Sequence, residues 1–152
     1  MTLQTRSTGL ALELDEALQS TLVLGWLEAD GLRNEPLSGD FLRERDESVQ
    51  RIVARWTGRP AGDIPGVAET RQMFHRLGVD PTKTRPSSEA LLRRLMQGKP
   101  MPEVFPIVDT CNLASVEHQF PLGLYDRSML QGTRLRVRTG RRGEGYTGIR
   151  KT

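Results

Sequence analysis

The sequence predicts an α+β domain, and three observations carry that expectation. Leu10, Leu12 and Leu14 alternate with polar residues near the N-terminus. Four central stretches place apolar residues at helical spacing, the first three closed by glycine. Near the other end, Arg134-Leu135-Arg136-Val137-Arg138 alternates again with period two. At 152 residues the chain suffices for a single domain over 1–152 with one core.

Taken in order, Leu10–Leu18 reads as a half-buried strand, with Glu13 and Asp15 beside the apolar positions. Thr21–Leu27 is a continuous apolar run closed by Asp30-Gly31, which predicts a buried strand and a turn. A helix is expected from about Ser38 to Trp56, with Leu42, Val49, Ile52, Val53 and Trp56 as its stripe and Asp40 as its cap. After a Gly/Pro connector, Val67, Phe74 and Leu77 share one face of a shorter helix that ends at Gly78. Lys83–Pro86 is loop, because a residue preceding proline avoids helix. Ser87 or Ser88 then caps a third helix, with Glu89 favourable in its first turn and Leu91, Leu92, Leu95 and Met96 apolar. Ile107–Glu117 is the fourth, with Val108, Cys111 and Leu113 expected inward. In the final strand the arginines share one face and Leu135 and Val137 the other.

Composition excludes several classes. Hydrophobic residues at 36% fit a globular core, and 15 Gly with 9 Pro are too few for a low-complexity chain. The run Leu22–Leu27 is too short to cross a bilayer, and no basic stretch followed by an apolar region marks a secretory signal. A single cysteine excludes an internal disulfide, and with two histidines no zinc cluster assembles. The expectation is a soluble cytoplasmic protein without metal, cofactor or membrane partner. Its net charge of +3 is unevenly distributed. Residues 1–70 carry 7 Lys/Arg against 12 Asp/Glu, 71–99 carry 7 against 2, 100–126 carry 0 against 4, and 127–152 carry 8 against 1. Basic segments attract polyanions, and 19 of the 22 basic residues are arginine, whose planar fork suits phosphate. A solvated, arginine-biased surface explains the same counts.

Individual motifs are weaker. Gly143-Glu144-Gly145-Tyr146-Thr147-Gly148 matches the dinucleotide-binding glycine pattern, yet too few residues follow to build the required helix, so these glycines read as a turn. The helices flanking Lys83 suggest a helix-turn-helix DNA-binding regulator, although nine residues, Gly78–Pro86, separate them. Cys111 lacks any base that the sequence places beside it, and His75 reads as a helix-surface residue. The face of Arg134, Arg136 and Arg138 suits either a phosphate backbone or the charged side of an edge strand. Asp109 and Asn112 stand three apart on one helix face, where Asn112 could hold an amine, carbonyl or hydroxyl; equally, Asp109 is a local cap and Asn112 a surface residue.

Longer words are more specific. The stretch Arg76–Leu95, with Asp80-Pro81-Thr82-Lys83-Thr84-Arg85-Pro86 and Glu89-Ala90-Leu91-Leu92-Arg93-Arg94, resembles free-standing relatives of an aminoacyl-tRNA editing module. That module is the B-three/B-four domain of the phenylalanyl-tRNA synthetase β subunit. Val108-Asp109-Thr110-Cys111-Asn112 resembles its V-D-x-x-N helix, and Pro121-Leu122-Gly123-Leu124-Tyr125-Asp126 its P-L-x-x-[FY]-D segment. Leu135–Arg138 with Gly143-Glu144 resembles its strand and G-E turn. Motif order and spacing agree from about Arg71 to Ile149.

The resemblance implies a mixed or antiparallel sheet with packed helices around a pocket for the acylated end of tRNA. It implies either a trans-acting deacylase for misacylated aminoacyl-tRNA or a non-catalytic module binding tRNA or an amino acid. By position, Asn112 matches the asparagine lining the editing pocket and Asp109 its helix partner. Arg85, Arg93, Arg94, Arg134, Arg136 and Arg138 are expected to hold substrate or RNA. Two departures stand out: Gly123 replaces the histidine of the module's P-L-H, and the family pattern continues past Gly148 with further strands. The expectation is thus a domain lacking its C-terminal part, whose open sheet edge favours a homodimer.

Overall fold

The computed structural model describes residues 9–145. They form an α+β arrangement with a small sheet, in two compact units. One comprises the chain up to Glu28 together with the chain from Leu130, and the other spans Ala29–Met129.

In the first unit, strand β1 (Ala11–Leu14) pairs with β2 (Arg134–Val137). The pairing is parallel, with Leu12 opposite Leu135 and Leu14 opposite Val137, rather than the mixed or antiparallel sheet expected. Parallel neighbours need a long crossover, and here the whole helical unit intervenes in sequence. These four apolar residues are half-buried, whereas Ala11, Glu13, Arg134 and Arg136 are exposed. β1 is shorter than expected because Asp15 accepts a hydrogen bond from the Ala17 N–H and caps helix α1 (Glu16–Gln19), which buries Leu18. The second expected strand does not form. Thr21–Leu27 has no regular structure beyond a turn at its start, and Val23 is 99% exposed, because no strand among the described residues pairs with the run.

The second unit consists of helices. Helix α2 (Gly39–Trp56) is capped by the Ser38 hydroxyl, which accepts from the Phe41 N–H, rather than by Asp40, which instead pairs with Arg43. Ile52 and Ser48 are buried on its inner face, with Val49, Val53 and Trp56 packed alongside. The guanidiniums of Arg55 and Arg59 lie 4.7 and 5.9 Å from the Trp56 ring centre, within cation–π range. A short 3₁₀ turn (Ala61–Asp63) leads to α3 (Val67–Arg76). Helix α4 (Ser87–Met96) follows Pro86 at its N-cap, so neither Ser87 nor Ser88 caps it as expected. Ser88 is fully buried, and its hydroxyl has no partner among the described residues. Helix α5 (Pro106–His118) opens with proline at its first position, where no backbone N–H is needed.

Ile52, Ala61, Ile64, Val67, Leu92, Leu95, Met101 and Val116 form one core, contributed by α2 to α5 and the connectors. On α5 the residues turned fully inward are Asp109, Ser115 and Val116, while Val108, Cys111 and Leu113 are half-buried. Apolar residues lie all round this helix, so its pattern does not single out an inner face.

Chain reversal after α5 depends on one close approach. Gln119 takes a left-handed conformation (φ 58°), and its buried amide donates to the Val116 carbonyl. Gly66, at φ +83°, lies so near that an added Cβ would meet the Gln119 Cβ at 2.5 Å. Gly98 has a similar φ of +72° but open space around it. Both Gly→Ala substitutions carry the backbone cost of about 1–3 kcal/mol, and Gly66→Ala adds the clash. Urea denaturation is expected to show Gly66→Ala as clearly the more destabilising of the two.

Candidate functional site

The site grows out of one buried carboxylate. Glu89 lies in the first turn of α4 and is 0% exposed. A carboxylate withdrawn from water requires charged partners and hydrogen bonds. Arg71, from α3, donates from Nη1 to both Glu89 oxygens at 2.9 and 3.1 Å. Arg93, one helical turn beyond Glu89, donates from Nε at 2.7 Å. Arg85 lies one turn before it, with its Nε 3.7 Å away. Three guanidiniums thus surround one carboxylate, leaving an excess of two positive charges that reaches solvent through partly exposed side chains.

The connector from α3 to α4 sets Arg85 in place. Asp80 accepts from the Thr82 N–H and hydroxyl at 2.8 and 2.7 Å, and these bonds hold its carboxyl below the usual carboxylate range. Its carbonyl accepts from the N–H groups of Lys83 and Thr84. With α3 ending at Arg76 and α4 starting at Ser87, the join is longer than the short turn of a helix-turn-helix.

Arg85 and Arg93 also line a groove of about 280 Å³, together with Ala90, Arg94, Gln97 and Lys99. Four cationic residues line it and no carboxylate does. Arg94 donates from Nε to the Pro100 carbonyl at 2.6 Å, and the Lys99 ammonium donates to the Gln97 side-chain oxygen at 2.9 Å. A second hollow, of about 260 Å³ beside α2, has a different character. There Arg45 is neutralised by Asp46 at 2.9 Å and Glu103 at 3.2 Å.

Of the residues expected at a site, Arg85, Arg93 and Arg94 meet in the α4 groove. Asp109 and Asn112 lie on α5 and do not line that groove. The Asp109 carboxylate is buried and accepts from the Val104 N–H at 2.9 Å, tying the preceding connector to the first turn of α5. Asn112 is half-buried, and its amide makes no hydrogen bond among the described residues. Arg134, Arg136 and Arg138 belong to the other unit, and each meets a carboxylate: Glu13 at 3.3 Å, Asp15 at 3.2 Å and Glu144 at 2.7 Å. Gly143 occupies a turn at φ +88°, as its sequence suggests, whereas Tyr146, Thr147 and Gly148 lie outside the described residues. The described residues contain no cluster of three or more potential metal ligands, and no helix long and apolar enough to cross a membrane.

Residues 69–152, more than half of the chain, match the family model of the B3/4 domain. The chain belongs to the B3/4 domain family. No curated protein and no solved structure matches it. This assignment agrees with the resemblance to the phenylalanyl-tRNA synthetase β-subunit module and makes the chain a tRNA-synthetase-associated type of domain. Within this B3/4 domain the matched stretch contains most of α3 and all of α4, α5 and β2, and with them the Glu89 cluster and the groove. The structural role of Glu89 and the contributions of Arg71, Gln97 and Lys99 are not evident from motif reading. Glu89 and Arg93, four apart on α4, are the one available signal, since that spacing puts both on one side of a helix, whereas Arg85 reaches Glu89 from the connector before Pro86.

Two outcomes follow. Glu89→Gln leaves three guanidiniums facing a neutral amide, and loss of the buried partner is expected to cost about 3 kcal/mol, read from urea denaturation. In the other unit, Arg138 donates two hydrogen bonds to Glu144 and the Arg141 N–H a third, holding the Glu144 carboxyl at about 2 against an ordinary 4.5. The contribution of this contact is present at neutral pH and lost as pH falls from the ordinary carboxylate range through 2. Carboxyl-carbon NMR titration is expected to place Glu144 near 2, and to move it toward 4.5 in Arg138→Gln.

Proposed function

We propose that this B3/4 domain binds the acylated end of tRNA and hydrolyses misacylated aminoacyl-tRNA in trans. The observation that carries this proposal is the family match over 69–152, the stretch that also contains the basic groove on α4, whose cations outnumber the one carboxylate they meet. The substrate ester is already activated, so the protein's task reduces to orienting it, admitting one water and stabilising the oxyanion. Water adds to the ester carbonyl, the bond to the ribose oxygen breaks, and that oxygen takes up a proton. Asn112, with an amide free of hydrogen bonds to described residues, orients the substrate through a donor and an acceptor. Asp109 supports it by fixing the start of α5 through Val104. The arginines of α4 supply the countercharge for RNA, with those of β2 as a weaker, carboxylate-paired contribution.

A non-catalytic tRNA-binding or amino-acid-binding module is the second reading, and two observations favour it. The Asp109 carboxylate is engaged by the backbone, and Gly123 stands where the related module has a histidine. In either role the protein acts in the cytoplasm, and the outer edges of the two-strand sheet offer a homodimer its seam.

Ester loss from tRNAs charged with labelled amino acids, including tyrosine on the phenylalanine tRNA, separates these readings. Selective hydrolysis is expected, falling roughly 10²-fold in Asn112→Ala while tRNA binding persists. Intact esters with retained binding would leave the module, and absence of tRNA binding would reject both.

A further inference from the structure

Arg93 and Arg94 share a detail that neither their charge nor their spacing reveals. Each is anchored through Nε alone: Arg93 to the buried Glu89 carboxylate at 2.7 Å, Arg94 to the Pro100 carbonyl at 2.6 Å. The terminal Nη groups of both donate to nothing among the described residues. An arginine held by Nε keeps its outward edge, two parallel N–H groups, available for bidentate contact with a phosphate. Both side chains stand one turn beyond Ala90, and all three line the groove. Lys99, hydrogen-bonded to Gln97, and Arg85 are the other cationic residues of the lining.

We propose that the exposed face of α4 is a two-pronged phosphate clamp, formed by Arg93 and Arg94, that grips the phosphodiester backbone of an RNA strand. Anchoring at Nε removes rotamer freedom before the ligand arrives, so less ordering is required on binding. The groove is open rather than enclosed, which suits a passing backbone better than a small anion. The choice of RNA rests on the function proposed above, whereas the clamp itself rests on the groove.

Deacylated tRNA binding is measured by anisotropy over a potassium chloride series. The parent chain is compared with Arg94→Ala, the double variant Arg93→Ala/Arg94→Ala and the double lysine variant. Arg43→Ala/Arg51→Ala on α2 serves as the charge-matched control. Arg94→Ala leaves the Glu89 cluster intact, so it reports even if the double alanine variant fails to fold. The salt slope is expected to fall by about one for each arginine removed. The double lysine variant is expected to keep the slope but lose roughly tenfold in affinity, because an ammonium replaces the charge but not the fork. The control should stay near the parent.

Unchanged binding in Arg94→Ala and both double variants would overturn the clamp while leaving tRNA as ligand. A parent that ignores tRNA, yet gains thermal stability from inorganic pyrophosphate through Arg93 and Arg94, would overturn the RNA assignment in favour of a small phosphate compound. A parent that responds to neither would overturn both.

Discussion

Removing a carboxylate from water is among the costlier things a small protein can do, and the helical unit is organised around that act at Glu89. The residue sits where α4 begins, and its oxygens can be satisfied only if α3 presents Arg71 and α4 presents Arg93 at the right depth. Leu92 and Leu95, on the same helix, fill the core beneath. The apolar and ionic layers therefore fix α4 jointly, one from below and the other from the side. Packing without the carboxylate would leave like-charged guanidiniums crowded together. The carboxylate without packing would return to solvent, since an exposed ion pair contributes little.

Charge is deployed differently in the two units. Along β2 every arginine has a carboxylate within ion-pair distance, and Glu144 serves Arg138 with both oxygens. Arg134, Arg136 and Arg138 are therefore locally compensated, and their sequence charge overstates the field they project. On α4 the reverse holds: one carboxylate is shared among three arginines, while Arg94 and Lys99 are held by neutral oxygens. Net charge per segment, counted along the chain, does not distinguish these cases, because compensation comes from residues distant in sequence, such as Asp15 for Arg136.

The same distinction explains what was legible from sequence. Helices α2 to α4 announce themselves through apolar spacing bounded by Gly58, Gly78 and Gly98, and the structure places them within a residue or two of expectation. Thr21–Leu27 misleads because an apolar run reports only hydrophobicity, whereas a strand also needs a neighbour to accept its hydrogen bonds. The inward face of α5 is illegible because apolar residues surround it, and two of its buried residues, Asp109 and Ser115, are polar groups satisfied by backbone at Val104 and Phe120. Arg85, Arg93 and Arg94 are singled out by their motif, and the structure brings them to one groove. Their anchoring through Nε is not, since it depends on a carbonyl at Pro100 and on the depth of Glu89.

The meeting of Gly66 with Gln119 also has a historical side. Two positions more than fifty residues apart share a space with no room for one additional methyl group. Residue 119 can vary only among side chains whose Cβ tolerates the left-handed backbone, and residue 66 hardly at all while any Cβ stands opposite. Substitutions here are ordered: a glycine at 119 would have to arise before anything larger could be accepted at 66. Among descendants of this sequence the pair should drift together or not at all, so that a recombination exchanging only the stretch after α5 would inherit a seam it had not evolved to fit.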